Sequence, residues 1–223
     1  PSITYYQITD AGTVTQANLT GSWFEVLAQD VRVSLAMYAN EPYVLALEYI
    51  DGTNSENHDA DDHAVIKIIK PDLSGGTTVF QSPTLIGPEI PTYLTKLAID
   101  SNGGACFFYK SNGIWHLVRG PLASPTDTAL PGTSVRGDDY IKDFVLEGTA
   151  TIHAACTAYD DNIVKYRKFT GTTLADESVV ADFDGNPSIA LCGGKPCIAF
   201  TFGSQSVGGV VMDTFDIRLA VHK

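Results

Sequence analysis

The sequence predicts an all-β fold: a β-propeller of four blades, with five as the alternative, spanning residues 1–223 as one domain and closed by its N- and C-terminal strands. Three observations lead there. First, the stretch Leu97–Tyr109, an apolar run, a turn (Ser101-Asn102-Gly103-Gly104) and a second apolar run, recurs from Leu35, from Phe144 and from Ile189. Second, the last three copies start at intervals of about 46 residues, within the range of propeller blades. Third, short β-branched and aromatic segments alternate with Gly, Pro and Asn turns, and no helical period runs through the chain.

The elements follow in order. Ile3–Thr9 is β-branched and aromatic, ends at Asp10-Ala11-Gly12, and aligns without gaps on Val164–Thr170, which makes it a late strand of a blade. Thr13–Thr20 reads as a further strand, and Gly21-Ser22-Trp23-Phe24 as a turn with aromatics. The first full unit comprises Val33–Tyr38, Pro42–Ile50, Ala64–Lys70 with its strict alternation, and Thr77–Gln81. The polar run Asp51–His63 accounts for the longer first interval and reads as an inserted loop. A passage with Pro83, Pro88 and Pro91 leads to the second unit, Lys96–Asp100, Ala105–Lys110 and Ile114–Arg119, and the Pro/Gly-rich passage Gly120–Gly132 follows. The third unit is Tyr140–Leu146, Thr151–Tyr159, Ile163–Thr170 and Leu174–Phe183. The fourth is Ser188–Leu191, Cys197–Phe202, a Gly-rich Gly203–Gly209, and Phe215–His222. Too few residues remain after Ile189 for a full unit, so the N-terminal strand is expected to complete it, removing a free sheet edge.

Composition is that of an ordinary folded chain, 44% hydrophobic and 18% charged. No apolar run reaches the length of a membrane helix, so membrane insertion is not expected. Fourteen Lys+Arg against 26 Asp+Glu give a net charge of −12. That balance excludes the basic footprint nucleic-acid binding requires.

Candidate chemistry is sparse. Asp51–His63 crowds oxygen and imidazole ligands that suit a calcium ion, but the Asp-x-Asp-x-Asp-Gly order is not met and a solvated acidic loop is the simpler reading, so no cofactor is expected. No carboxylate pair recurs at equivalent inner positions, as a glycosidase would need, and no Gly-x-Ser-x-Gly elbow occurs. His153, on an inner strand, reads as a core histidine. No catalytic residue is assigned. Cys106, Cys156 and Cys197 occupy apolar strand positions, while Cys192 and Cys197 flank a tight turn where a disulfide is one alternative. Binding of a sugar needs an aromatic face with carboxylates or amides beside it. Trp23, Trp115, and Tyr159 with Asp160 and Asp161 are the candidates, each with inter-blade packing as the alternative.

The repeated units, and strands such as Ile163–Phe169, resemble the propellers of lectins, sialidase-like proteins and secreted or phage proteins. The rhythm of Ile3–Glu25 is similar to blades of fungal-type fucose-binding lectins. The resemblance implies a non-enzymatic recognition module on an extracellular or virion surface, its partner a glycan or, as the alternative, a protein docked by a structural or decorating subunit. The sialidase Asp-box is absent and the fucose-lectin sugar contacts do not recur, so neither activity transfers by residue. A glycosidase-like enzyme ranks third. Loops of the variable face, opposite the short regular turns, are where a site is expected.

Overall fold

The computed structural model describes residues 3–19, 30–31, 33–50, 62–72, 76–131, 139–158, 163–181, 187–202, 205–207, 210–212 and 216–221. These residues form an all-β structure of several antiparallel sheets, with one 3-10 turn at Gly87–Glu89 and no α-helix among them. The chain divides into two compact units, Pro1–Ala129 and Leu130–Lys223.

In the first unit, β1 (Ile3–Ile8) and β2 (Val14–Leu19) make a two-stranded antiparallel sheet. A short β3 (Asp30–Val31) follows. The next sheet runs β4 (Ser34–Tyr38), β5 (Glu41–Ile50), β6 (His63–Lys70), β7 (Thr77–Gln81), with β8 (Leu85–Ile86) also pairing β6. Its outermost strand is thus in two pieces. Ser82 bridges the gap: its amide donates to the Ile66 carbonyl at 2.9 Å and its hydroxyl accepts the Ile66 amide at 2.9 Å.

The third sheet contains β9 (Tyr93–Leu94), β10 (Ala98–Ile99), β11 (Gly104–Ser111), β12 (Ile114–Pro121) and β13 (Thr126–Ala129). Both β9 and β10 pair with the same edge of β11, and β3 adds to β9 in parallel. The expected first strand Lys96–Asp100 is therefore an interrupted one. Thr95 causes the interruption, its hydroxyl accepting the Phe108 amide at 2.9 Å where a regular strand would use its own carbonyl. The Pro/Gly-rich passage after Gly120 contains β13, a strand that alternation did not reveal because TDTA has no apolar face.

β5 sits between two layers. Tyr43, Leu45, Leu47 and Tyr49 pack with Ile66 and Ile68 against Leu94, Phe107 and Tyr109 of the third sheet. Its other face, Val44 and Ala46, joins Leu19, Ile3 and Tyr5 of the β1–β2 hairpin. Burial on both faces explains why the strand reads as a nearly continuous apolar run, with no alternation.

The second unit holds β14 (Asp139–Glu147), β15 (Thr151–Ala158), β16 (Ile163–Thr170) and β17 (Thr173–Ala181) in one meander. β18 (Ser188–Cys192) and β19 (Lys195–Phe202) follow, then the small hairpin of β20 (Gln205–Val207) and β21 (Val210–Met212). β22 (Asp216–Val221) pairs with β19 and makes a three-stranded sheet. Ala155, Val164 and Tyr166 of the meander pack on Ile189, Ile198 and Phe200 of that sheet.

The turns are tighter than the sequence suggested. Ala39-Asn40 and Gly193-Gly194 are two-residue connections with positive φ throughout, the backbone twist that suits a hairpin. Pro42 and Pro196, read as part of the turn, stand instead in the second strands, opposite Met37 and Leu191. Each is one step beyond the pair that closes the turn, a position where antiparallel partners exchange no hydrogen bonds. A residue without an amide hydrogen costs nothing there.

Candidate functional site

The second unit opens a cleft of about 260 Å³ between its meander and its three-stranded sheet. Tyr166, Ser178, Val179 and Val180 line one side; Pro196, Ile198, Ala220 and Val221 line the other. Strand alternation produces this lining. Tyr166 and Ser178 are cross-strand partners, so both project from the same face of the sheet. Val179 and Val221 are 58% and 52% exposed and form an apolar rim.

Behind the cleft, Tyr166 is held by a polar chain. Its hydroxyl lies 2.7 Å from His153 Nδ1, and His153 Nε2 lies 3.0 Å from Glu147 Oε2. Burial pushes the Tyr166 phenol up to about 12, with the Asp176 and Glu147 carboxylates adding to the shift. The phenol therefore keeps its proton, and the imidazole bridges it to the Glu147 carboxylate. His153 is buried and satisfied, as its place on an inner strand suggested.

A second polar cluster lies in the first unit on β11, β12 and β13. The Tyr109 hydroxyl donates to Asp127 Oδ2 at 2.5 Å, His116 Nδ1 is 3.0 Å from Asp127 Oδ1, and the tyrosine and imidazole rings stack at 4.5 Å. Burial, then the Asp127 hydrogen bond, raises the Tyr109 pKa. Neither tyrosine is poised to ionise near neutrality, so neither cluster supplies a phenolate base.

The third assembly is a buried ion cluster in the meander. Arg167 pairs with Asp139 and, through Nε at 2.5 Å, with Glu177, while Lys165 Nζ lies 3.5 Å from Asp139 Oδ1. Two cations and two carboxylates balance, and Arg167 is 2% exposed. Arg167 Nη1 is buried with no hydrogen-bond partner among the described residues. The assembly is structural in kind, a desolvated pair whose removal of one member is costly.

The sequence candidates fare unevenly. Trp115 is buried, 1% exposed, with its ring edge-on to Tyr93 at 5.5 Å. Its face is spent on packing, so it leaves the set of sugar-stacking candidates. Trp23, Tyr159, Asp160 and Asp161 lie outside the described residues. Of the acidic loop, Asp51–Asp61 likewise lie outside them. Asp62 is fully buried and accepts the Tyr49 hydroxyl at 2.9 Å, and His63 belongs to β6. Among the described residues no group of three or more His, Cys, Asp or Glu is placed to hold a metal ion, and no helix is long and apolar enough to cross a membrane. Cys192 and Cys197 are both free thiols.

Sequence reasoning missed the two Tyr-His-carboxylate clusters. Their members stand on three neighbouring strands, and only the pairing Tyr109↔His116 and Ala155↔Tyr166 brings them together. Compared with known proteins, the chain matches no protein-family model and no curated protein sequence.

Proposed function

We propose that the chain is a β-propeller acting as a non-enzymatic recognition module, and that it docks a polypeptide through the apolar cleft beside Tyr166. One observation carries this reading: the cleft is lined by aliphatic side chains, one ring and one hydroxyl, with Val179 and Val221 exposed at its mouth. Such a lining accepts an aliphatic side chain and offers a pyranose few hydrogen-bonding partners. The net charge of −12 favours a partner whose anchor is flanked by Lys or Arg.

Support for the propeller comes from sheets stacked face to face in each unit and from the β1–β2 hairpin. That hairpin covers the face of the β4–β8 sheet that a last blade covers in a closed ring. The β18–β19–β22 sheet has three strands against four in the β14–β17 meander. A count of four blades is the reading that both features favour.

Selection from a random peptide display library against the folded chain tests the docking reading. The expected result is enrichment of aliphatic anchors flanked by basic residues, abolished by Val179→Asp with unchanged circular dichroism. Saturable binding on a glycan array with no peptide enrichment would replace it by the carbohydrate reading. That second reading is favoured by the partly exposed His116 and Asp127, 22% and 43% exposed at their side chains, whose polar atoms suit sugar hydroxyls.

A further inference from the structure

Cys192 and Cys197 stand at the two ends of the hairpin segment CGGKPC. Gly193 and Gly194, with φ of +61° and +78°, form its turn. Strand pairing sets Cys192 opposite Lys195 and Ala190 opposite Cys197. Positions two apart on a strand share a face, so both thiols project from one side of the hairpin and face each other diagonally.

A diagonal in a flat sheet is too long for a disulfide, because neighbours displaced by two residues lie roughly 7–8 Å apart. The right-handed twist of a two-residue hairpin shortens one diagonal and lengthens the other. Here the Cys197 thiol leans back over the turn, to within 3.6 Å of the carbonyl of Lys195, the residue that Cys192 faces across the hairpin. Access is unequal. Cys192 is exposed, whereas Cys197 is 5% exposed.

We propose that Cys192 and Cys197 form a reversible dithiol site, oxidised to an intramolecular disulfide by low-molecular-weight disulfides, with Cys192 as the entry thiol and Cys197 as the resolving thiol. The Cys192 thiolate, after losing its proton to solvent, attacks one sulfur of the small disulfide; a new S–S bond forms and one small thiolate leaves. The Cys197 thiolate, its proton also passed to solvent, then attacks Sγ of Cys192, breaks the mixed disulfide and releases the second small thiolate. Two electrons pass from the protein to the small disulfide, which ends as two thiols. Cys106 and Cys156 take no part: both are fully buried, and burial pushes each thiol up to about 12.

The test uses the full chain incubated with oxidised glutathione, denatured, alkylated and mapped by mass spectrometry. Lys195 precedes Pro196, so trypsin leaves both cysteines in one peptide. The expected product is that peptide lighter by two hydrogens and unalkylated, with Cys106 and Cys156 alkylated in full. Cys197→Ser is expected to trap glutathione on Cys192, and Cys192→Ser to give at least tenfold less modification of Cys197. Wild type that accumulates glutathione on Cys192 as fully as Cys197→Ser does, or that keeps both thiols free, overturns the proposal.

Discussion

The Leu97 amide donates a hydrogen bond to Ser34 Oγ at 2.9 Å, and so joins the start of one repeat to the first strand of the repeat before it. The same relationship recurs in the second unit, where the Ile189 amide donates to Asp143 Oδ2 at 2.9 Å and Ser188 Oγ donates to the same oxygen at 2.7 Å. Leu97 and Ile189 occupy equivalent repeat positions, and Ser34 and Asp143 each precede the equivalent Leu35 and Phe144. A register shift at Lys142 re-aims Asp143 toward the neighbouring sheet. Within each unit, then, a side chain one residue ahead of the repeat start fixes the level at which the next sheet stacks.

Removing that acceptor leaves a part-buried amide without a partner. Ser34→Ala and Asp143→Ala are each expected to lower stability by about 1–3 kcal/mol, read from urea unfolding, with Asp143→Asn, which retains an acceptor oxygen, losing less. An unchanged unfolding midpoint in both alanine variants would show that face-to-face packing alone sets the stacking level.

Gly103 has φ of +80°, and a Cβ there would lie 2.9 Å from Cζ of Tyr38 on β4. Gly103→Ala combines left-handed strain with a collision against a ring, and a loss of about 1–3 kcal/mol is expected. Tyr38→Leu in the same chain relieves the collision but not the strain, so the double variant should recover part of the loss in thermal melting.

Arg167 anchors two carboxylates, the fully buried Asp139 and Glu177, whose side chain is 38% exposed. Arg167→Met is expected to cost about 3–5 kcal/mol, since the buried Asp139 loses its guanidinium partner and Lys165 Nζ stands farther off, at 3.5 Å. Measured by denaturant titration, a cost below about 1 kcal/mol would mean that water reaches Asp139.

Alkaline pH should unfold the protein in a predictable window. Burial holds the Cys106 and Cys156 thiols at about 12, above their ordinary 9.0, and raises the Tyr109 phenol above its ordinary 10.0. Across that interval the unfolded chain has lost protons that the folded chain retains, so stability falls as pH rises above about 9. Cys156→Ala is expected to flatten the slope of unfolding midpoint against pH between 9 and 11, even though it also lowers the midpoint at pH 7.

Much of the sheet framework was legible in the residues, because apolar runs between two-residue turns leave a direct trace. The interrupted strand at Thr95 was not: its cause is a hydroxyl standing in for a backbone carbonyl, a contact between positions 95 and 108. The strand Thr126–Ala129 carries no apolar face, so no periodicity marked it. Site residues were less legible still. Trp115 beside a Gly turn looked like a candidate for stacking on sugar, yet strand alternation sets it with Leu117 on the buried face, against Tyr93. The cleft depends on Tyr166, Ser178 and Pro196 converging from different strands, and no spacing in the chain encodes that convergence.

Because β5 is covered on one side by the third sheet and on the other by the β1–β2 hairpin, its amides have no route to solvent short of global opening. Hydrogen exchange should therefore be slowest between Val44 and Leu47 within the first unit. That segment then marks the last structure to be surrendered under denaturant, and a nascent chain has to emerge well past Tyr109 before this strand is protected on both sides.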